Sequence, residues 1–83
     1  MWGENMVKVK FFGVLSAKMP EKDNEGYWIT EAMGKTVREL LDSSPIKDTN
    51  IKYNIFVNNE RRDPSCVLEE GDILTVIPLL AGG

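Results

Sequence analysis

The sequence predicts a single α+β domain, a roll in which one main helix lies across a mixed sheet of four to five strands. Three features carry this expectation. VKVKFF (7–12) alternates with a period of two, GKTVRELL (34–41) carries a capped apolar stripe, and DILTVI (72–77) is a nearly continuous β-branched run. A lone amphipathic helix must bury its stripe, and in a chain of 83 residues a sheet is the surface that can cover it. The folded unit is expected over 7–77, with 1–6 a loose extension and 78–83 a flexible tail.

VKVKFFGVL (7–15) sets Val7, Val9 and Phe11 against Lys8, Lys10 and Phe12, so a first strand with one buried face is expected, with Phe12 standing among polar neighbours. SAKMPEKDNEG (16–26) has the proline, glycine and charge of a connection, and YWITEA (27–32) reads as a second strand returning beside the first. Thr36 and Glu39 are spaced as a capping box, in which hydroxyl and carboxylate each satisfy an orphan amide at a helix start. Val37, Leu40 and Leu41 then share a face, and Pro45 stops the helix at about 44. YNIFVNNERR (53–62) reads as two strands joined at Asn58-Asn59, since asparagine accepts the positive φ of a two-residue turn. In it Tyr53, Ile55 and Val57 share one face and Asn54 and Phe56 the other. DPSCVLEEGD (63–72) is a loop with Leu68 tucked in and Gly71 turning into the last strand, which is expected at the sheet centre, covered on much of both faces and parallel to the first.

Composition narrows the function. A net charge of −3 with dispersed basic residues opposes nucleic-acid binding, and no apolar stretch approaches the ~20 residues of a membrane span. The single Cys66 suits a reducing, cytoplasmic setting and is read as a small hydrophobe rather than a reactive thiol. With no histidine there is no Cys/His metal cluster and no imidazole base. Glu69-Glu70 and Glu21/Asp23/Glu25 read as solvated loop charges. A self-sufficient enzyme is not expected.

The tail VIPLLAGG (76–83) is the unusual feature. Pro78 has no N–H for a sheet ladder, so pairing is expected to end there and release Leu79, Leu80, Ala81, Gly82 and Gly83. At this point the chain resembles the ubiquitin-like β-grasp sulfur carriers of the MoaD/ThiS type, most of all the small subunit of molybdopterin synthase. The resemblance spans VKVKFFG, GKTVRELL, IFVNNE and EEGDILTVIPLLAGG. One departure is Leu79, where molybdopterin-type carriers usually have a second proline after Pro78.

The resemblance implies a β-grasp fold and a carrier rather than an enzyme. A ubiquitin-activating-like adenylyltransferase would use ATP to adenylate the Gly83 carboxylate, and a sulfur donor would convert it to a thiocarboxylate. No cofactor would be bound, and the sulfur would ride covalently on Gly83. The acceptor would be the molybdopterin synthase large subunit, ahead of thiamine synthesis or tRNA thiolation. A protein modifier joined through Gly83 to target lysines is the alternative, and a plain β-grasp adaptor a third reading. Gly82 and Gly83, lacking a Cβ, fit a narrow channel. Leu79, Leu80 and Ala81 would anchor the tail in a partner's groove, with Pro78 as the release point, or Leu79 and Leu80 would fold back as core. Phe12 and Phe56 either form a docking patch with the tail or lie under loops. Arg61 and Arg62 are solvated hairpin charges or meet an acidic partner.

Overall fold

The computed structural model describes residues 5–79. Its strands are β1 (Met6–Phe11), β2 (Trp28–Glu31), β3 (Tyr53–Val57), β4 (Glu60–Arg61) and β5 (Ile73–Pro78). One α-helix, α1 (Val37–Asp42), and two 3-10 helices, Gly13–Lys18 and Pro45–Asp48, complete the elements. The strands form one five-stranded sheet in the order β2-β1-β5-β3-β4. β1 runs antiparallel to β2 and parallel to β5, with Val9 opposite both Trp28 and Leu74. β3 flanks β5 antiparallel, with Ile55 opposite Val76. The last strand of the chain is therefore the centre of the sheet.

One face of this sheet is the core. Val7, Val9, Phe11, Ile55, Val57, Leu74 and Val76 are buried together with Val37, Leu40 and Leu41 of α1. Each such side chain withdrawn from water stabilises the fold by roughly 1.5–3 kcal/mol before ordering entropy is subtracted. Leu15, Ile46 and Leu68 plug the core from outside the strands, and Phe11 meets Trp28 edge to face at 6.4 Å. Asn58 (φ +52°) and Asn59 (φ +70°) make the expected hairpin turn, and Gly71 (φ +84°) leads into β5. The capping box is complete: Glu39 N–H donates to Thr36 Oγ1 at 3.1 Å, and Thr36 N–H to Glu39 Oε1 at 2.8 Å.

Several boundaries differ from the sequence expectation, each for a local reason. β1 begins at Met6, which pairs with Glu31, so that residue belongs to the sheet and not to a loose extension. It ends at Phe11 rather than residue 15, because Gly13 takes φ +57° and turns the chain into a 3-10 helix; Leu15 is buried from that turn, not from a strand. β2 is confined to Trp28–Glu31. α1 stops at Asp42, before the expected 44. The Ser43 and Ser44 hydroxyls donate to the carbonyls of Leu40 and Leu41, and Ser44 caps the 3-10 helix that Pro45 opens.

β5 departs in two ways. Its outer face is not covered, for Ile73 and Ile77 are 37% and 39% exposed. Nor does pairing end before Pro78. That residue sits in β5 opposite Tyr53, and Leu79 N–H donates to Lys52 O at 2.8 Å. The ladder tolerates the proline because its nitrogen faces the β1 side, the side on which Phe12 N–H bonds Val76 O and beyond which β1 has already turned away.

Candidate functional site

Strand alternation sorts the outer face. Lys8 and Lys10 of β1, Ile73, Thr75 and Ile77 of β5, and Asn54 and Phe56 of β3 all point away from α1. Register sets Lys8 opposite Ile73, Lys10 opposite Thr75, Phe56 opposite Thr75 and Asn54 opposite Ile77. On the central strand two isoleucines with Thr75 between them are thus flanked by lysines on one side and by Phe56 and Asn54 on the other. Phe12 and Leu79, 42% and 45% exposed, continue the same alternation at the end where the tail leaves. Leu79 is therefore not folded back as core, and Phe12 is not covered by a loop. Phe56 is half-buried on the same face.

The lysine flank is organised. Lys8 Nζ and Lys10 Nζ each lie 5.1 Å from the Tyr27 ring centroid, and Lys10 Nζ also lies 5.4 Å from that of Phe12. Lys8 reaches Glu25 at 3.9 Å. Such cation–π contacts keep ammonium groups over the face rather than free in solvent. Tyr27 is held in place by Asp23, whose Oδ1 accepts the N–H groups of Tyr27 and Glu25, each at 2.8 Å. These bonds, that of Tyr27 foremost, hold the Asp23 carboxyl below its ordinary pKa. Asp23 is a loop-ordering group, more than the solvated charge expected.

On the opposite edge, Tyr53, Arg61, Arg62 and Pro64 line an open cleft of about 420 Å³. Arg61 Nη2 donates to Asn54 Oδ1 at 3.1 Å, which fixes one of the two arginines at the margin of the outer face. Burial, with Asp42 adding to it, pushes the Tyr53 phenol up. Among the described residues no group of three or more Cys, Asp or Glu could hold a metal ion. No helix among them is long and apolar enough to cross a membrane. Cys66 is half-buried against the core.

The tail's root is built, and its tip is not described. Pro78 and Leu79 extend β5 as above, whereas Leu80, Ala81, Gly82 and Gly83 lie outside the described residues. Sequence reasoning missed Ile73 and Ile77 as surface residues, although their period-two relation to Leu79 places all three on one face. It also missed Gly13, beside which the Pro78 ring lies.

A central strand that runs into an apolar surface and then into Gly-Gly matches a known family model. The ThiS family model aligns with residues 9–83. The chain belongs to the ThiS family. Members of that family are small sulfur carriers, which in general work with activating adenylyltransferases and sulfur acceptors. No curated protein sequence matches this ThiS-family chain. Its fold is that of ubiquitin-like β-grasp proteins. SAMP1 from Haloferax volcanii superposes with a TM-score of 0.69 at 17% identity, covering 94% of this chain and 99% of SAMP1. Urm1 from Trypanosoma brucei gives 0.68 at 15% identity over 100% of both chains. The HVO 2177 protein of H. volcanii gives 0.67 at 23% identity, over 98% of this chain and 89% of the other.

Proposed function

We propose that this ThiS-family chain is a sulfur carrier that delivers sulfur for molybdopterin assembly, with Gly83 as the loaded residue. The observation that supports the sulfur-carrier part of this reading is the family match, which runs through the tail to residue 83; the molybdopterin part rests on the resemblance to the small synthase subunit. In the chemistry proposed, a Gly83 carboxylate oxygen attacks the α-phosphorus of ATP in the active site of a partner adenylyltransferase, and pyrophosphate leaves. Hydrosulfide then adds to the acyl carbon and AMP departs, so that a C–S bond replaces the C–O bond to AMP. A proton is released and a thiocarboxylate remains. The carrier provides the carboxylate; the partner provides the catalysis. Gly82 and Gly83 suit a narrow channel because neither has a Cβ to block approach to the carbonyl.

The outer face supports the same reading. Phe12, Phe56, Ile77 and Leu79 give an adenylyltransferase an apolar surface continuous with the tail, and burial there offsets the cost of ordering the tip. Leu80 and Ala81 would extend that grip.

The test is intact mass after incubation with the adenylyltransferase encoded by the same genome, ATP and sodium sulfide. One oxygen exchanged for one sulfur, lost when Gly82-Gly83 is removed, is the expected result. Isopeptide adducts to lysines in place of a thiocarboxylate would make the chain a protein modifier instead. Transfer of sulfur to a thiazole precursor or a tRNA, and not to the large synthase subunit, would redirect the pathway.

A further inference from the structure

We propose that Gly13 is a positioning residue for the C-terminal tail, seating the Pro78 ring so that the chain leaves the sheet from one fixed point, Leu79. Its functional consequence rests on the sulfur-carrier reading above, but its structural part stands on the geometry alone.

Three constraints meet at this point. Gly13 holds φ +57°, and a Cβ placed on it would come within 3.2 Å of Pro78 Cγ and 3.8 Å of Pro78 Cδ. The approach to Cγ is tighter than ordinary van der Waals contact, so any residue but glycine would press the ring back by a few tenths of an ångström. Pro78 has its own φ fixed by the ring, which removes one of the two soft torsions at the exit. One residue later, Leu79 N–H donates to Lys52 O at 2.8 Å and ties the chain to the segment entering β3. The turn after β1 therefore touches the exit from one side, and the approach to β3 bonds it from the other.

The geometry has a consequence for reach. Residues 80–83 can span at most about 14 Å when fully extended. If Pro78 and Leu79 came off the sheet, the stretch beyond the last sheet contact would run over 78–83 and its greatest reach would grow to about 20 Å. A longer tether samples a larger volume, so the tip enters a partner's channel less often from a given docked pose. Holding the exit at Leu79 keeps the tether short and aligned with the outer face at Ile77 and Leu79.

Two substitutions test this. Gly13→Asn keeps a side chain that tolerates left-handed φ but adds the Cβ that presses on the ring. Pro78→Ala removes the ring. Amide exchange of Leu79 is followed by NMR, with Val9 as a core control, and ATP–pyrophosphate exchange with the same-genome adenylyltransferase gives KM and kcat for the carrier. Faster exchange at Leu79 but not at Val9 is expected in each single variant, with KM raised about fivefold to tenfold and kcat changed less than about twofold. The double variant should show less than the product of the two single effects, because both act on one contact. Unchanged Leu79 exchange, or single effects that multiply, would overturn the inference. If Gly13→Asn does not fold, Pro78→Ala alone decides on the same Leu79 readout. If the wild-type carrier is not adenylated at all, the sulfur-carrier reading fails, while Leu79 exchange still decides whether Gly13 and Pro78 set the exit.

Discussion

Asn58 joins two parts of the sheet through one amide side chain. Its Nδ2 donates to Asp72 Oδ1 and its Oδ1 accepts from Ile73 N–H, both at 2.9 Å, while its own N–H donates to Ile73 O at 2.8 Å. Asp72 in turn accepts Glu69 N–H at 2.8 Å, so the turn before β5 and the β3–β4 turn are fastened together. Asn58→Gly keeps the positive φ and removes both side-chain bonds; a loss of about 1–2 kcal/mol is expected in urea unfolding. Asn59→Gly, at φ +70°, should stay within about 0.5 kcal/mol of wild type. Equal costs at the two positions would show that only the turn conformation matters. Leu68 is a second residue whose weight exceeds its setting. It lies in a loop yet is fully buried, as is Leu74 in the central strand. Leu68→Ala should therefore cost about 2–5 kcal/mol, the range expected for Leu74→Ala.

At the scale of elements, α1 depends on its first turn. Six residues are too few for a helix to persist by propensity, so capping and packing must hold it. Thr36→Ala should cost about 1 kcal/mol at neutral pH. The backbone N–H of Thr36 is the main reason the Glu39 carboxyl titrates below its ordinary value of 4.5. A lowered folded pKa means this contribution is present above the ordinary value and is lost as pH falls through the folded one. Asp23, held by Tyr27 N–H, and Asp63, held by Ser65 N–H, act with the same sign. Thermal midpoints should accordingly fall on acidification below about pH 4.5, and Glu39→Gln should flatten part of that fall; an unaltered slope would assign it to other carboxylates. These elements also show what a sequence reveals. The capping box and the Asn-Asn turn were legible because each rests on contacts a few residues apart, and the parallel β1–β5 pairing because a crossover through a helix returns a strand parallel to the first. The ends of β1 and α1 were not. Val14 and Leu15 extend the apolar pattern past the Gly13 turn, and the Ser43 and Ser44 hydroxyls compete with the helix only once folded. The proline at the tail was misread for a similar reason. Whether a missing N–H breaks a ladder depends on which side of the strand it faces, and that is a tertiary fact.

Across the whole molecule, one face of the sheet carries the core, and the other is the surface proposed above for partner docking. The face toward α1 carries the core, and the outer face exposes Phe12, Ile73, Ile77 and Leu79 beside the Lys8–Lys10–Tyr27 group. Phe12→Ala should leave unfolding free energy within about 0.5 kcal/mol of wild type, while raising the adenylyltransferase KM for the carrier. A stability loss with unchanged KM would return Phe12 to a structural role. The topology has one more effect, on the order of events during synthesis. β5 is the last strand to be made, yet β1 and β3 are both zipped to it and not to each other. Non-local pairing of this kind delays folding until the final segment is available. A chain cut short before β5 therefore lacks the strand to which β1 and β3 both pair. The strand that completes the described sheet is also the one that leads into the tail, so formation of the sheet and placement of the tail's root are one event.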